Sequence, residues 1–397
     1  MFAWEQCKLS DISEKSYEKN TYNKYSTVLT NSAEYGIVKQ RDFFDKDIAN
    51  SSNISGYYVV RKNYFVYNPR ISNQAKFGPI NRNKLDESGI MSPLYLVFTV
   101  HDIDESFLET LFQTTTWHRF MYQNGDTGAR ADRFAIKDST FMSMPIKVPS
   151  LEEQHKLALA FQKLDQTITL HEEKKRQLEC LKSALLQKMF ADENGYPAVR
   201  FRGFDEAWKQ CKLGDVGQTY TGLSGKSKED FGHGKARFVT YMNIYSNPVS
   251  DLNMVEPIEI DERQNEVQYG DAFFTTSSET PEEVGMASVW TGDEKHTYLN
   301  SFCFGYRPIS KINPYYLAYM LNSQSLRRKI VILAQGISRY NISKKSVMEI
   351  PASLPSAEEQ NRIGLIFKDL DQSITLYEHK LELLKRLKSS LLQNMFI

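Results

Sequence analysis

A chain of 397 residues is long enough for two or three domains, each with its own core. Lys+Arg and Asp+Glu both total 49, so there is no net charge. Residues 1–149 carry 18 basic and 17 acidic side chains and residues 201–349 carry 17 and 18, which excludes a domain that holds nucleic acid by bulk charge alone.

The first segment, 1–148, opens on Trp4-Glu5-Gln6-Cys7-Lys8-Leu9 and reads as mixed α/β. Residues 56–67 and 94–100, rich in Val, Tyr and Phe, are expected strands, and the apolar spacing of 104–122 predicts a helix. Pro149 then stops the preceding strand, and Ser150 lies three residues before Glu153, the spacing of a capping box. Leu157, Phe161, Leu164 and Ile168, then Leu178, Leu181, Leu185 and Met189, predict one long helix over 149–191. A linker, 192–204, follows. The second segment, 205–354, begins with an echo of the first, Trp208-Lys209-Gln210-Cys211-Lys212-Leu213. Its expected strands are 271–276 and 298–306, and its expected helix is 314–334. Pro355, Ser356 and Glu359 repeat the cap, and Ile363, Phe367, Leu370, Ile374, Tyr377, Leu381, Leu384, Leu387, Leu391 and Met395 predict a second long helix over 355–397.

Between 149–190 and 355–396, 24 of 42 positions are identical, so the chain is a duplicated unit of globular segment plus long helix. The sustained seam predicts coiled-coil pairing, and chain order makes the compact arrangement antiparallel. Each helix would be about 57 Å long at 1.5 Å per residue. The expected fold class is α+β: two mixed α/β domains separated by two long antiparallel coiled-coil helices in a pseudo-two-fold repeat.

Catalytic chemistry finds little support. Gly222-Leu223-Ser224-Gly225-Lys226-Ser227 ends like a phosphate-binding loop, but Tyr220 stands where its first glycine belongs. Asn313-Pro314-Tyr315-Tyr316 has the look of an amino-methyltransferase motif but lacks the second proline, and it reads better as a helix start. The seven histidines are scattered and the four cysteines, Cys7, Cys180, Cys211 and Cys303, form no C-x-x-C pair, so no metal site is expected. With no signal pattern at the N-terminus and no apolar run near membrane length, a soluble cytoplasmic protein of reduced thiols is expected, with no membrane partner.

Polar loops leaving apolar strands are the candidate DNA contacts, because amide and guanidinium groups there can reach base edges. In the first segment these are Arg70, Asn73, Lys76, Asn81 and Arg82, with Arg130 and Arg133 ahead of the last strand. In the second they are Thr276, Ser277 and Ser278, with Arg339 and Asn341 ahead of the last strand, and a basic run among glycines that includes Lys226, Lys228 and Arg237. Arg133 and Arg339 occupy equivalent positions in the two copies.

The P-S-x-E-E-Q cap, the L-D-Q-x-I-T-L core and the L-K-S-x-L-L-Q-x-M-F end resemble the conserved helical regions of type I restriction–modification specificity subunits. Residues 67–71 (YNPRI), 89–98 (GIMSPLYLVF) and 130–136 (RADRFAI) resemble target recognition segments of that family. So do 221–234 (TGLSGKSKEDFGHG), 274–285 (FTTSSETPEEVG) and 336–342 (GISRYNI). The resemblance implies a non-catalytic subunit in which 1–148 and 205–354 are target recognition domains, each reading half of an asymmetric bipartite site in double-stranded DNA. It implies that the helices set the spacer and dock two adenine-N6 methyltransferase subunits, joined by ATP-dependent restriction subunits. S-adenosylmethionine, ATP and Mg would serve those partners, with no cofactor in this chain. The competing reading is a two-domain protein scaffold bridged by a coiled coil.

Overall fold

The computed structural model describes residues 4–43, 54–127, 132–192 and 194–396. The chain divides into two compact units, Met1–His171 with Lys380–Ile397, and Glu172–His379, so both long helices contribute to both units.

The central sheet of the first unit has four antiparallel strands in the order Ser13–Lys15, Leu96–Val100, Phe65–Tyr67, Ile80–Arg82. Strand alternation sends Phe65, Tyr67, Leu96 and Phe98 into one apolar cluster and Val66 and Val97 into another. The second unit repeats the plan with Gly217–Thr221, Cys303–Pro308, Ala272–Thr275 and Ala287–Val289. There Ala272, Phe274, Phe304 and Tyr306 face one cluster and Phe273 and Cys303 the other. The inner strands are buried on both faces, which is why Phe65–Tyr67, Leu96–Val100 and Ala272–Thr275 read as apolar runs, whereas the edge strands Ser13–Lys15 and Gly217–Thr221 do not.

Two expected strands are each two strands. Residues 56–67 divide into Tyr58–Val60 and Phe65–Tyr67 around Asn63, which adopts φ +69°. Residues 298–306 divide into Thr297–Leu299 and Cys303–Pro308 around Asn300, whose side chain donates to the Val239 carbonyl (3.0 Å) and accepts from the Phe302 N–H (2.9 Å). In each case an asparagine with a local alternative to the ladder makes the bend. The two expected helices also divide, into Glu105–Phe112 and His118–Asn124, and into Pro314–Leu321 and Gln324–Ile332. Thr114 and Ser323 end the first helix of each pair by donating their hydroxyls to the carbonyls of Leu111 and Met320, both at 2.7 Å.

The W-x-Q-C-K echo forms the same strand twice. Glu5–Lys8 pairs with Pro145–Val148, and Lys209–Lys212 pairs with Pro351–Leu354, each leading into a long helix. The first long helix is Leu151–Lys188 and the second Ala357–Met395. Ser150 and Ser356 cap them by accepting from the N–H of Glu153 (3.4 Å) and Glu359 (3.3 Å). The two glutamates then do something the capping box does not anticipate: each accepts a tryptophan indole N–H, from Trp4 (3.3 Å) and Trp208 (3.2 Å). The glutamine that follows clips the helix to its domain. Gln154 donates to the Pro149 carbonyl (2.8 Å) and accepts from the Asp104 N–H (2.9 Å); Gln360 does the same with Pro355 (3.0 Å) and Asn313 (3.1 Å). Asp104 and Asn313 are themselves the N-caps of Glu105–Phe112 and Pro314–Leu321. One repeated hexapeptide thus fixes a helix start, the tryptophan ahead of a strand and a neighbouring helix at once.

Within each unit the long helices run antiparallel. Lys175 pairs with Glu378 (2.9 Å) and Lys182 with Asp371 (2.5 Å) in the second unit, and Asp165 with Lys388 (2.7 Å) in the first. The register is the same in all three pairs, since one residue number rises by as much as the other falls. Each copy's L-D-Q aspartate meets the other copy's L-K-S lysine, so both motifs are halves of one reciprocal contact. Phe396 seats against Phe107 (5.5 Å), Trp4 (5.8 Å) and Phe161 (5.8 Å); Phe190 seats against Tyr316 (5.8 Å) and Phe367 (5.7 Å). Three seam assignments are corrected: Leu181, Leu387 and Met395 are 48%, 49% and 36% exposed, and beside the two leucines Lys182 and Lys388 face the partner helix instead. At this level of the helix the ion pair displaces the leucine from the seam.

Candidate nucleic-acid interface

In the first unit the chain leaves the strand Phe65–Tyr67 through Asn68, Pro69 and Arg70, and Arg70 forms an antiparallel bridge with Arg133. The Phe134 N–H donates to the Pro69 carbonyl (2.7 Å) and the Ile71 N–H to the Asp132 carbonyl (3.0 Å), which locks the two loops side by side. Arg70 and Arg133 are both exposed. Asn73 and Lys76 are exposed on the next turn, where Phe77 anchors the loop against His118 and Phe134, both at 5.1 Å. Burial and the Lys76 cation hold the His118 imidazole below its usual range. Gly78 closes the loop at φ +83°, where a Cβ would lie 2.0 Å from the Asn68 carbonyl oxygen, so only glycine fits.

Two candidates in this unit hold the loop rather than present themselves. Asn81 donates to Asn31 Oδ1 (2.7 Å) and the Ser32 carbonyl (3.0 Å) behind the sheet. Arg82, with 9% of its side chain exposed, is held by Glu109 (2.9 Å), Glu105 and Ser106. Arg130 lies outside the described residues.

The second unit builds the same junction from different residues. Past Thr275 the chain continues as Ser277–Ser278, which pairs antiparallel with Tyr340–Asn341. The Ile342 N–H donates to the Thr276 carbonyl (3.0 Å), and Thr276 Oγ1 donates to the Phe302 carbonyl (2.7 Å). The equivalence of Arg133 and Arg339 needs adjustment here. Counted from the short helices that follow, Asp138–Met142 and Lys344–Met348, the arginines correspond. The pairing has slid by two residues, however, so Asn341 faces Ser277 where Arg133 faces Arg70, and Arg339 lies two residues farther out. Arg339 and Asn341 are exposed, with the Asn341 side chain donating to the Arg339 carbonyl (3.2 Å).

Two tyrosines the sequence reading missed support this junction. Tyr241 donates its hydroxyl to the Ser277 carbonyl (3.2 Å) and stacks on Tyr245 at 6.1 Å and 17°. Tyr245 donates to Glu283 (2.7 Å), which also accepts from the Ser278 hydroxyl (3.2 Å). These donors hold the Glu283 carboxyl below its usual range, and the tyrosine hydroxyls are raised, Tyr241 by burial and Tyr245 by the bond to Glu283. The fourfold spacing of the two rings on the helix Tyr241–Ser246 was the available signal. Exposed Met242 and Phe302 flank the same corner.

The basic run falls elsewhere. Lys226 is paired with Asp261 (3.0 Å), a carboxylate held far below its usual range chiefly by Arg263 and then by Lys226. Lys228 and Arg237 are exposed, Arg237 within the strand Phe231–Val239. Among the described residues no hydrogen bond ties these three to the Ser277 junction. Nor, among the described residues, does any cluster of His, Cys, Asp and Glu suit a metal ion, and no helix is long and apolar enough to cross a membrane.

The comparisons match this duplicated plan. A family model described as the type I restriction modification DNA specificity domain matches residues 1–180 and, separately, residues 205–386. The chain belongs to that family. A Methanocaldococcus jannaschii protein named for the specificity subunit of type I restriction enzyme MjaX is 24% identical over 220 residues, or 53% of this chain. That match spans 50% of the relative's length. Solved structures of the specificity family share the fold from end to end. The HsdS subunit from Thermoanaerobacter tengcongensis has a TM-score of 0.51 at 17% identity, and the type I S subunit from M. genitalium 0.53 at 15%; each comparison covers 99% of this chain and 96% of the other. A chain from a study of complex assembly and conformational transition of the type I R–M system gives 0.52 at 15% identity, covering 99% and 97%.

Proposed function

We propose that this chain is a DNA specificity subunit of a type I restriction–modification complex, without catalytic activity of its own. The observation that carries the reading is the doubled junction. In each unit, a loop leaving a central strand is paired with the loop ahead of the last strand, and polar groups stand at the pair, Ser277 half-buried and the others exposed. Arg70 and Arg133 present two guanidinium groups in one unit; Ser277, Asn341 and Arg339 present hydroxyl, amide and guanidinium in the other. Guanidinium groups suit guanine edges and phosphates, while amides suit adenine, so the two half-sites differ and the full target is asymmetric. On this reading Asn81, Arg82 and Lys226 position their loops, and Arg70, Arg133, Arg339 and Asn341 are the contact candidates.

The long helices support a second part of the proposal, docking of two methyltransferase subunits. Leu159, Leu170 and Leu181 are 51%, 68% and 48% exposed, and their repeat equivalents Leu365, Leu376 and Leu387 are 57%, 52% and 49% exposed. A spacing of eleven residues is close to three helical turns, so Leu159 with Leu170 in the first unit and Leu365 with Leu376 in the second each form an outward apolar stripe. Two equal stripes fit two equal partners. Those partners would bring S-adenosylmethionine, and restriction subunits would bring ATP and Mg.

The test is the pattern of adenine methylation in cells carrying this chain with its methyltransferase. A gapped motif with two unlike halves is the expected result. A continuous short motif would overturn the reading, and Leu170→Asp with Leu376→Asp should abolish co-purification of the methyltransferase while leaving the chain folded.

A further inference from the structure

A single exposed leucine or phenylalanine is ordinary on a protein surface, but its recurrence at one place in two units of divergent sequence is not. Leu94 is 57% exposed and Phe302 64% exposed. Each lies in the turn between two strands: Gly89–Met91 and Leu96–Val100 in the first unit, Thr297–Leu299 and Cys303–Pro308 in the second. The turn is built alike in both. The Leu94 N–H donates to Ser92 Oγ (3.4 Å) and the Phe302 N–H to Asn300 Oδ1 (2.9 Å), so a polar side chain two residues back holds each apolar residue in place.

The turn borders the candidate interface in each unit. Leu94 stands two residues before Leu96, which pairs with Tyr67, and Phe302 stands two residues before Phe304, which pairs with Phe274. Arg70 and Ser277 follow those two partners by three residues. In the second unit the link is direct, since the Thr276 N–H (3.2 Å) and Thr276 Oγ1 (2.7 Å) both donate to the Phe302 carbonyl. A candidate polar contact and an exposed apolar group are thus delivered to the same corner of each sheet.

On the DNA reading proposed for this chain, we propose that Leu94 and Phe302 are specificity residues, each packing on the 5-methyl group of a thymine in its own half-site. The guanidinium, amide and hydroxyl groups beside them match hydrogen-bonding base edges, whereas the one apolar feature that a base presents in the major groove is the thymine methyl. A side chain without polar atoms has no other favourable contact with a base edge there. Each half-site modified at an adenine also carries the thymine paired with that adenine.

The test is competition binding by the complex reconstituted with its methyltransferase, using the motif read from methylated DNA. Duplexes carrying deoxyuridine for every thymine of one half-site compete with the unmodified duplex. The wild-type complex should bind the uracil duplexes more weakly, by about fourfold for each methyl group contacted. Leu94→Ala should erase the difference at one half-site and Phe302→Ala at the other, while Phe302→Leu keeps part of it. Ile309 is 65% exposed just past the other end of Cys303–Pro308, and Ile309→Ala should leave the difference unchanged. Equal binding of thymine and uracil duplexes by the wild-type complex would overturn the proposal. So would a loss on Leu94→Ala and Phe302→Ala that is the same for both duplexes, as for a wedge between bases, or failure of those variants to hold the methyltransferase. A wild-type complex without any sequence preference would instead overturn the DNA reading itself.

Discussion

Arg82 and Arg133 are alike as sequence symbols, and the structure gives them opposite surroundings. Arg82 is folded under Glu105 and Glu109, so Arg82→Ala should leave Glu109, 14% exposed, with Lys84 (2.6 Å) as its remaining ion-pair partner. A loss of about 2 kcal/mol is expected, between the values for surface and buried pairs, with half-site choice unchanged. Denaturant melts read the first and competition binding by the reconstituted complex reads the second. Arg133→Ala and Asn341→Ala should do the reverse. Stability holds, and each relaxes discrimination at its own half-site by about 1–3 kcal/mol. An Arg133→Ala complex that instead weakens on all sequences alike, with a shallower salt dependence, would make that arginine a phosphate contact. The cysteines allow a similar separation by environment. Burial pushes the Cys303 thiol up to about 12 and raises Cys7 and Cys211, whereas Cys180 is exposed on the first long helix. Alkylation at about pH 8 should therefore modify Cys180 first, Cys7 and Cys211 slowly, and Cys303 only on unfolding, as peptide mass mapping would record.

At the level of elements, the long helices were legible because their information is local: caps, period and repeat all lie within one segment. Their reciprocal contact was not, since Asp165 and Lys388 acquire meaning only from each other. Reversing one charge, Asp165→Lys, should cost about 1 kcal/mol in the first unit, and Asp165→Lys with Lys388→Asp should recover most of it. Failure of the double variant to recover would mean the pair does not fix the register. The candidate interface was half legible for the same reason. Polar loops after apolar strands stood out as composition, so Arg70, Ser277 and Arg133 were all selected. That Arg70 bridges Arg133, and that Ser277 faces Asn341 after a two-residue slide, is a property of long-range strand pairing. Burial decided the remainder: Asn81 and Lys226 carry the right groups but turn them inward to Asn31 and Asp261. Tyr241 and Tyr245 were passed over because stacked tyrosines on a short helix look like core until their hydroxyls are seen to hold Ser277 and Glu283.

For the molecule as a whole, the common register of the three ion pairs limits how spacing could be altered. Lengthening the first long helix alone would set Lys182 and Asp371 out of step with Asp165 and Lys388, and both repeated contacts could not survive. A matched change avoids this. Seven residues inserted after His171 and seven after His379, the boundary of the two units in each helix, would turn each helix by only about 20° from its seam. The same insertion lengthens the pair by about 10 Å. If the helices set the distance between half-sites, the gap in the methylated motif should grow by about three base pairs at 3.4 Å each. Affinity should fall at the same time, because three base pairs also rotate one half-site around the duplex relative to the other. Single-molecule sequencing of modified DNA reads the gap, and a melt of the variant checks that the paired helices have re-formed. An unchanged gap in a well-folded variant would mean that the spacer is measured by the partner subunits, and that the duplicated helices serve docking alone.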